Sequence, residues 1–378
     1  MDYFQKSLEI HQKYKGKISM QSKVPLETME DLSISYSPGV AAPCLEIANN
    51  PSEAYRYTSK SNTVAIISNG SAVLWLGNIW AQAWLPVMEG KAILFKKFAN
   101  IDAIPLMVDS QNIDEIVRFV EMVSPTFWGI NLEDIAAPQC FEIEENLKKK
   151  LKIPVFHDDQ HGTAIVVLAG LINALKLKQE RLEEQKIVVS WAGAAALAIG
   201  KLLRKAWAKD IVFVDSKGVI SSHREDLNPY KKEVIPYNMQ QISWNLKDAL
   251  KGRTVFIWVS KGDILQAEDL SLMEQNPIVF ALANPIPEIS PENAKKGGAF
   301  IIATGRSDYP NQVNNVLAFP WVFRGALDAK IIQITDEHKL SAAYALAESV
   351  QNLNPEHILP SIFDEWVTKV VADSIKNL

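Results

Sequence analysis

Hydrophobic and polar positions along the chain divide it into two series. Residues 63–68, TVAIIS, form a short β-rich run, and KAILFKKF (91–98) and AIPLMVD (103–109) follow as strand-like runs with room for helices between them. DEIVRFVEMV (114–123) places its apolar residues at helical spacing, and GINLEDI (129–135) returns to a strand-like run that ends in acids. A fresh series opens at IPVFHDD (153–159) and passes into a long apolar helix candidate, HGTAIVVLAGLINALKL (161–177). It continues through KIVVSWAG, DIVFVDSKG, TVFIWVS, PIVFALANP and AFIIATG. Five short strands with helical segments between some of them imply a parallel, doubly wound sheet. The reading is therefore α/β throughout. An N-terminal α/β domain is expected over residues 1–155 and a Rossmann-like dinucleotide-binding domain over 156–334. The helical tail, 335–378, is expected to pack back on the first domain.

Length agrees with that division, because 378 residues exceed the roughly 250–300 at which a single core stops growing. A net charge of −5 and only short lysine clusters argue against a nucleic-acid partner. The polar N-terminus and the lack of a run of roughly 18 apolar residues argue against a leader or a membrane span. Two cysteines, Cys44 and Cys140, give neither a disulfide framework nor a zinc spacing, and a reducing cytoplasm fits them.

The stretch VVSWAGAAALAIG (188–200) reads as a buried strand, a tight turn and a helix start. In a dinucleotide fold such a turn carries glycines that let backbone N–H groups approach a pyrophosphate, and an acid about 20 residues on takes the ribose hydroxyls. Here Asp215 stands 24 residues beyond Trp191, but only Gly193 survives of the glycines, with Trp191 first and Ala196 third. A plain buried strand–helix turn is the competing reading.

Two acid pairs lie at strand ends. Glu133 and Asp134 in LEDIAAP, with Asp159 in HDDQHG, offer oxygen ligands suited to Mg²⁺ or Mn²⁺. Helix capping by the same acids is the bland alternative. His157 and His161 are weaker ligand candidates. Lys91 opens an apolar segment, where burial can lower a lysine pKa enough to make a base near neutrality. Tyr36 sits in a turn-rich stretch where a phenol could donate a proton. Taken alone, Lys91 is more often a solvated surface residue and Tyr36 a half-buried packing residue.

Taken together, SYSPGVAAPC, VMEGKAILFKKFANIDAIPLMVD, NLEDIAAP, VFHDDQHGTAIV, FALANPIPEI and ATGRSDYPNQVNN resemble the malic enzyme family in its short bacterial form. The resemblance implies oxidative decarboxylation of L-malate to pyruvate and CO₂, with NAD⁺ or NADP⁺ taking the hydride. It implies Tyr36 as general acid, Lys91 as general base and Asp158 as the group orienting Lys91. Glu133, Asp134 and Asp159 become metal ligands. Asn284 and Asn315 match positions contacting malate or the nicotinamide end, and Ala192, Gly193, Ala194 and Ala195 match the pyrophosphate loop. Where relatives from larger organisms carry an arginine for a malate carboxylate, this chain has Ala72. Asp215 favours NAD⁺, since a carboxylate repels a 2′-phosphate, although Lys217 weakens that inference. A homodimer is expected. A malolactic enzyme and an inactive relative remain as alternatives.

Against the family pattern, Trp75, Trp80, Trp84, Trp128, Trp191, Trp207, Trp258 and Trp321 stand where glycine is expected, and Trp244 and Trp366 extend the set. Glycine reaches positive φ freely and tryptophan does not. The expectation is that the natural protein has glycine at these positions, and that a tryptophan at 191 would obstruct the pyrophosphate.

Overall fold

The computed structural model describes residues 3–73, 76–240, 245–259 and 262–378; Trp75 and Trp244 lie outside them. Four helices, α1 (Tyr3–Tyr14), α2 (Met29–Ser35), α3 (Ala41–Asn49) and α4 (Ala54–Tyr57), precede the first strand. There follow β1 (Thr63–Ser68), α5 (Ala81–Ala99), β2 (Asp102–Met107), α6 (Ile113–Val123), β3 (Gly129–Leu132), α7 (Gln139–Lys150) and β4 (Val155–His157). The order β2-β1-β3-β4 makes a parallel sheet.

The long helix α8 (Asp158–Lys178) leads to β5 (Lys186–Ser190), α9 (Ala194–Lys205), β6 (Asp210–Asp215) and the short β7 (Gly218–Val219). Short helices α10 (Pro229–Lys232), α11 (Leu246–Leu250), α12 (Ala267–Leu270) and α13 (Pro291–Lys296) are threaded among β8 (Val255–Trp258), β9 (Ile278–Ala281) and β10 (Ile301–Thr304). The second sheet runs β10-β9-β8-β5-β6-β7, parallel except for β7 at the edge. Helices α14 (Phe319–Asp328), α15 (Asp336–Glu348) and α16 (Glu365–Lys376) close the chain. The two-sheet α/β class read from the sequence is the observed one.

Three expectations change. KAILFKKF is not a strand but the second half of α5. Its buried residues Met88, Ala92, Phe95 and Ala99 recur every three or four positions, a helical stripe that an eight-residue window cuts short. The strand in IPVFHDD belongs to the first sheet, pairing Ile130 with Val155 and Leu132 with His157, so the chain passes between sheets through α8.

The tail takes its main seat on second-domain helices, α15 on α8 and α9 and α16 on α14 and α15. It meets the first domain through Phe363 against Phe98. The reason lies in α8, where buried Asn173 donates to the carbonyls of Ala347 at 2.8 Å and Ile358 at 2.9 Å. Helix α8 is long and apolar enough to cross a membrane, yet it is buried on nearly all sides and serves as the central core helix.

Asn173→Leu should remove the amide that bridges the two carbonyls, leaving Ala347 only its backbone donors, and lower unfolding free energy by about 1–3 kcal/mol. Hydrogen exchange should rise first around residues 345–360, and unchanged protection there would count against Asn173 as the tether.

Candidate active site

The parallel register sets the site. Because Leu132 pairs with His157, the residues that leave the ends of β3 and β4 come out side by side, Glu133 and Asp134 from one and Asp158 and Asp159 from the other. Carboxyl ends of parallel strands are where open α/β sheets gather ligands. Lys91 reaches this edge from the middle of α5, with Nζ 2.5 Å from Asp158 Oδ2 and 3.0 Å from Glu133 Oε1. The ammonium also lies 4.5 Å above the Phe319 ring. Both carboxylates are fully buried.

Burial by itself would lower the Lys91 pKa, as the sequence suggested. It is outweighed by Asp158, then Glu133 and Asp159, and the pKa stands above the ordinary lysine value. The apolar-wall argument therefore gives way here, because carboxylates at contact distance hold the proton. Asp158 is in direct contact with Lys91.

Glu133, Asp134 and Asp159 bring one oxygen each to within 4.8 Å of one another. The Asp134 backbone N–H donates to Asp159 Oδ2 at 2.7 Å, and Asn131 Nδ2 donates to Glu133 Oε1 at 2.7 Å. Glu133 Oε2 is buried with no hydrogen-bond partner. Burial pushes the Asp134 carboxyl up to about 8, with Asp159 adding to it. Burial likewise raises Glu133, against the pull of Lys91. An oxygen-only donor set, an orphaned carboxylate oxygen and acids disfavoured as anions fit a hard divalent cation. Asp134 holds φ of +50°, a left-handed backbone that a short polar side chain tolerates.

Of the histidines, His161 stands apart from the trio and His157 borders it. His161 Nε2 lies 2.9 Å and 3.0 Å from the Glu144 carboxylate oxygens, and burial pulls its pKa down to about 3 although Glu144 opposes it. His157 is buried at the end of β4 with Nε2 3.5 Å from Asp159 Oδ2. Three groups that sequence reasoning missed also touch the cluster. Asn131 and Gly162 are two, and Trp84 is the third, its Nε1 donating to Asp134 Oδ2 at 2.6 Å. Asn131 and Gly162 lie in the same motifs as the acids they touch, Glu133 and Asp158, whereas Trp84 reaches Asp134 from a distant segment.

A cleft of about 370 Å³ is lined by Ala72, Asp134, Asp159, Trp191, Gly193, Ala194, Ala195, Asn284 and Asn315. Ala192 departs from its expected role. It is buried, and its N–H is taken by the Val214 carbonyl at 3.1 Å. The Gly193 N–H is occupied as well, by the Trp191 carbonyl, which leaves the first-turn N–H groups of α9 to face the cleft.

Asp215 is engaged rather than free. It accepts from Arg224 at 2.7 Å and 3.2 Å, from Lys231 at 2.6 Å and from the Lys217 backbone at 2.9 Å. These bonds outweigh burial and hold its carboxyl below the usual range. Two cations beside it cancel the repulsion on which a preference for NAD⁺ rested. Tyr36 is 69% exposed, and its phenol has no hydrogen-bond partner among the described residues, so within one chain it is not joined to Lys91.

Comparison with known proteins decides the family. Residues 15–148 match the model for the malic enzyme N-terminal domain, and residues 160–376 match that for the malic enzyme NAD-binding domain. The chain belongs to the malic enzyme family. It is 51% identical to a NAD-dependent malic enzyme of Geobacillus stearothermophilus over 95% of this chain and 76% of that one. It is 49% identical to a bifunctional malic/malolactic enzyme of Bacillus subtilis, covering 99% and 92%. The crystal structure of a NAD-dependent malic enzyme from Thermotoga maritima superimposes with a TM-score of 0.95 at 47% identity, covering 98% of both chains.

Gly162 carries the tightest contact in this malic enzyme site, since a Cβ there would fall 1.9 Å from Asp158 Oδ1. Gly162→Ala should swing that carboxylate off Lys91 and cut turnover by about 10²-fold, the usual cost of a 1 Å misplacement. Near-native circular dichroism with near-native turnover would show that the close approach does not matter.

Proposed function

We propose that the protein converts L-malate to pyruvate and CO₂ while reducing NAD⁺ or NADP⁺. The observation that carries this reading is the placement of Lys91, clamped by Asp158 and Glu133, beside an oxygen-ligand trio of which Asp134 and Asp159 line the same cleft as the β5–α9 turn. Glu133, Asp134 and Asp159 would hold Mg²⁺ or Mn²⁺, which when bound supplies Lewis acidity toward the C2 oxygen and the enolate.

Lys91 is the base for the C2 hydroxyl. To act as that base it must first release its own proton to solvent, which matching the negative charge of its carboxylate neighbours favours by lowering its pKa, so binding and base strength are linked. NAD⁺ or NADP⁺, held along the cleft by the β5–α9 turn and Asn284, would supply the hydride acceptor that turns the C2 alcohol into a ketone. The carboxylate on C3 then leaves as CO₂, its bonding electrons form the enolate, and a proton from Tyr36 at C3 gives pyruvate. Asn284 and Asn315 orient malate against the nicotinamide. Arg224 and Lys231 beside Asp215 support acceptance of both nucleotides. The free thiols Cys44 and Cys140 support a cytoplasmic setting.

The exposed phenol of Tyr36 supports a homodimer in which each chain supplies the acid to the other. None of the residues of α1, α2 and α3 is buried, and Tyr3, Phe4, Leu8, Tyr14 and Ile34 stand exposed along this arm. So much apolar surface marks an interaction face, and a second copy seated on it would bring Tyr36 to the partner's cluster.

Mixing the protein with L-malate, Mn²⁺ and NAD⁺ or NADP⁺ should give a malate-dependent rise in reduced-nucleotide absorbance that EDTA abolishes. Lactate without released NADH would instead indicate malolactic chemistry, and a flat trace with neither product would reject the reading. Tyr36→Phe and Lys91→Met chains, each inactive alone, should regain activity when refolded together, because the mixed dimer holds one intact Tyr–Lys pair. No regain would place the acid in the same chain as its lysine.

A further inference from the structure

Twelve non-glycine residues among those described have positive φ. Nine are Asn, Asp, Gln or Lys, and the other three are Trp80, Trp191 and Trp207. Left-handed backbone is uncommon outside glycine, tolerable for short polar residues and an outlier for bulky ones. Each of the three tryptophans occupies a place where glycine has a defined task.

Trp207, at φ +79°, follows the last turn of α9. Its N–H donates to the Arg204 carbonyl at 3.2 Å, and the Ala208 N–H donates to the Leu203 carbonyl at 3.0 Å. That paired bonding is the Schellman termination, whose left-handed residue is usually glycine. Trp80, at φ +58° and ψ 165°, lies at the edge of a region that is essentially glycine-only. Trp191, at φ +64°, is the first residue of the turn between β5 and α9, where a dinucleotide loop places its first glycine.

Burial does not offset the strain, since the three residues are 66%, 42% and 72% exposed in chain order. A fourth tryptophan is misfitted for a different reason: Trp321 is fully buried and its Nε1 has no hydrogen-bond partner, although a buried indole N–H normally finds one. Composition points the same way. Seventeen glycines in 378 residues are 4.5%, against an average of about 7%. With glycine at all ten tryptophan positions the count would be 27, or 7.1%.

We infer that the natural polypeptide carries glycine at positions 80, 191 and 207, and that the nucleotide loop works with glycine at 191. A codon read as tryptophan under one genetic code and as glycine under another would put this one substitution at scattered sites together. The backbone argument stands without any assigned reaction. The part concerning the loop rests on the nucleotide reading given above, and its test uses binding without turnover.

Peptide mass spectrometry of the protein from its own organism should find the peptides 187–201 and 206–209 lighter than written, by the exchange of an indolylmethyl group for hydrogen. Tryptophan masses for both would overturn the inference. In recombinant protein, Trp207→Gly should raise the melting temperature by a few degrees, whereas an equal or lower value would refute the backbone argument. In calorimetric titration with NAD⁺ and no malate, Trp191→Gly should bind at least about tenfold more tightly than the chain as written, a factor equal to about 1.4 kcal/mol. Equal affinity would refute the loop assignment, and the malate assay is decided separately.

Discussion

The site depends on one buried ion pair made across sheet and helix, Lys91 with Asp158. Lys91 comes from α5 in the first domain, Asp158 opens the helix that leads to the second, and Glu133 completes the clamp from β3. Removing charges from water costs several kcal/mol per ion, recovered only when geometry and further hydrogen bonds are good. A cluster in which acids outnumber the one lysine is therefore not arranged for stability. Its excess negative charge fits the divalent cation proposed for the trio.

That constraint explains features that look like separate oddities. Gly162 has no side chain because Asp158 Oδ1 needs the space. Asp134 accepts a left-handed backbone so that its N–H can hold Asp159 while its carboxylate turns to the same centre. Glu133 keeps an unpaired oxygen in a site where Asn131 and Lys91 already engage the other. Each feature costs the folded chain something, and all point toward the trio.

The nucleotide side follows a different logic. On the proposed reading the backbone of the β5–α9 turn would be the recognition element there, so residue size would matter more than charge. Bulk at position 191 stands on the cleft wall, and the loop turns its own N–H groups inward. The Asp215 carboxylate, matched by Arg224 and Lys231, shows that an acid at a strand end does not set nucleotide choice until its neighbours are known.

Much of this was legible in the sequence because it is local. Period-two and period-3.6 patterns identified β1, β3, α6 and the strands of the second sheet, and adjacent acids after β3 and at the start of α8 marked the candidate ligands. The run at 91–98 misled because eight residues of a helix with two apolar neighbours resemble a strand. Contacts between distant segments had no such trace. The protonation of Lys91, the grip on Asp215, the exposure of Tyr36 and the seat of the tail on Asn173 depend on which groups folding brings within a few ångströms. The sequence determined which residues could do chemistry and on which elements they lie. Only the tertiary structure decided their charge state and partners, because desolvation and Coulomb energy depend on distance in space and not on spacing along the chain.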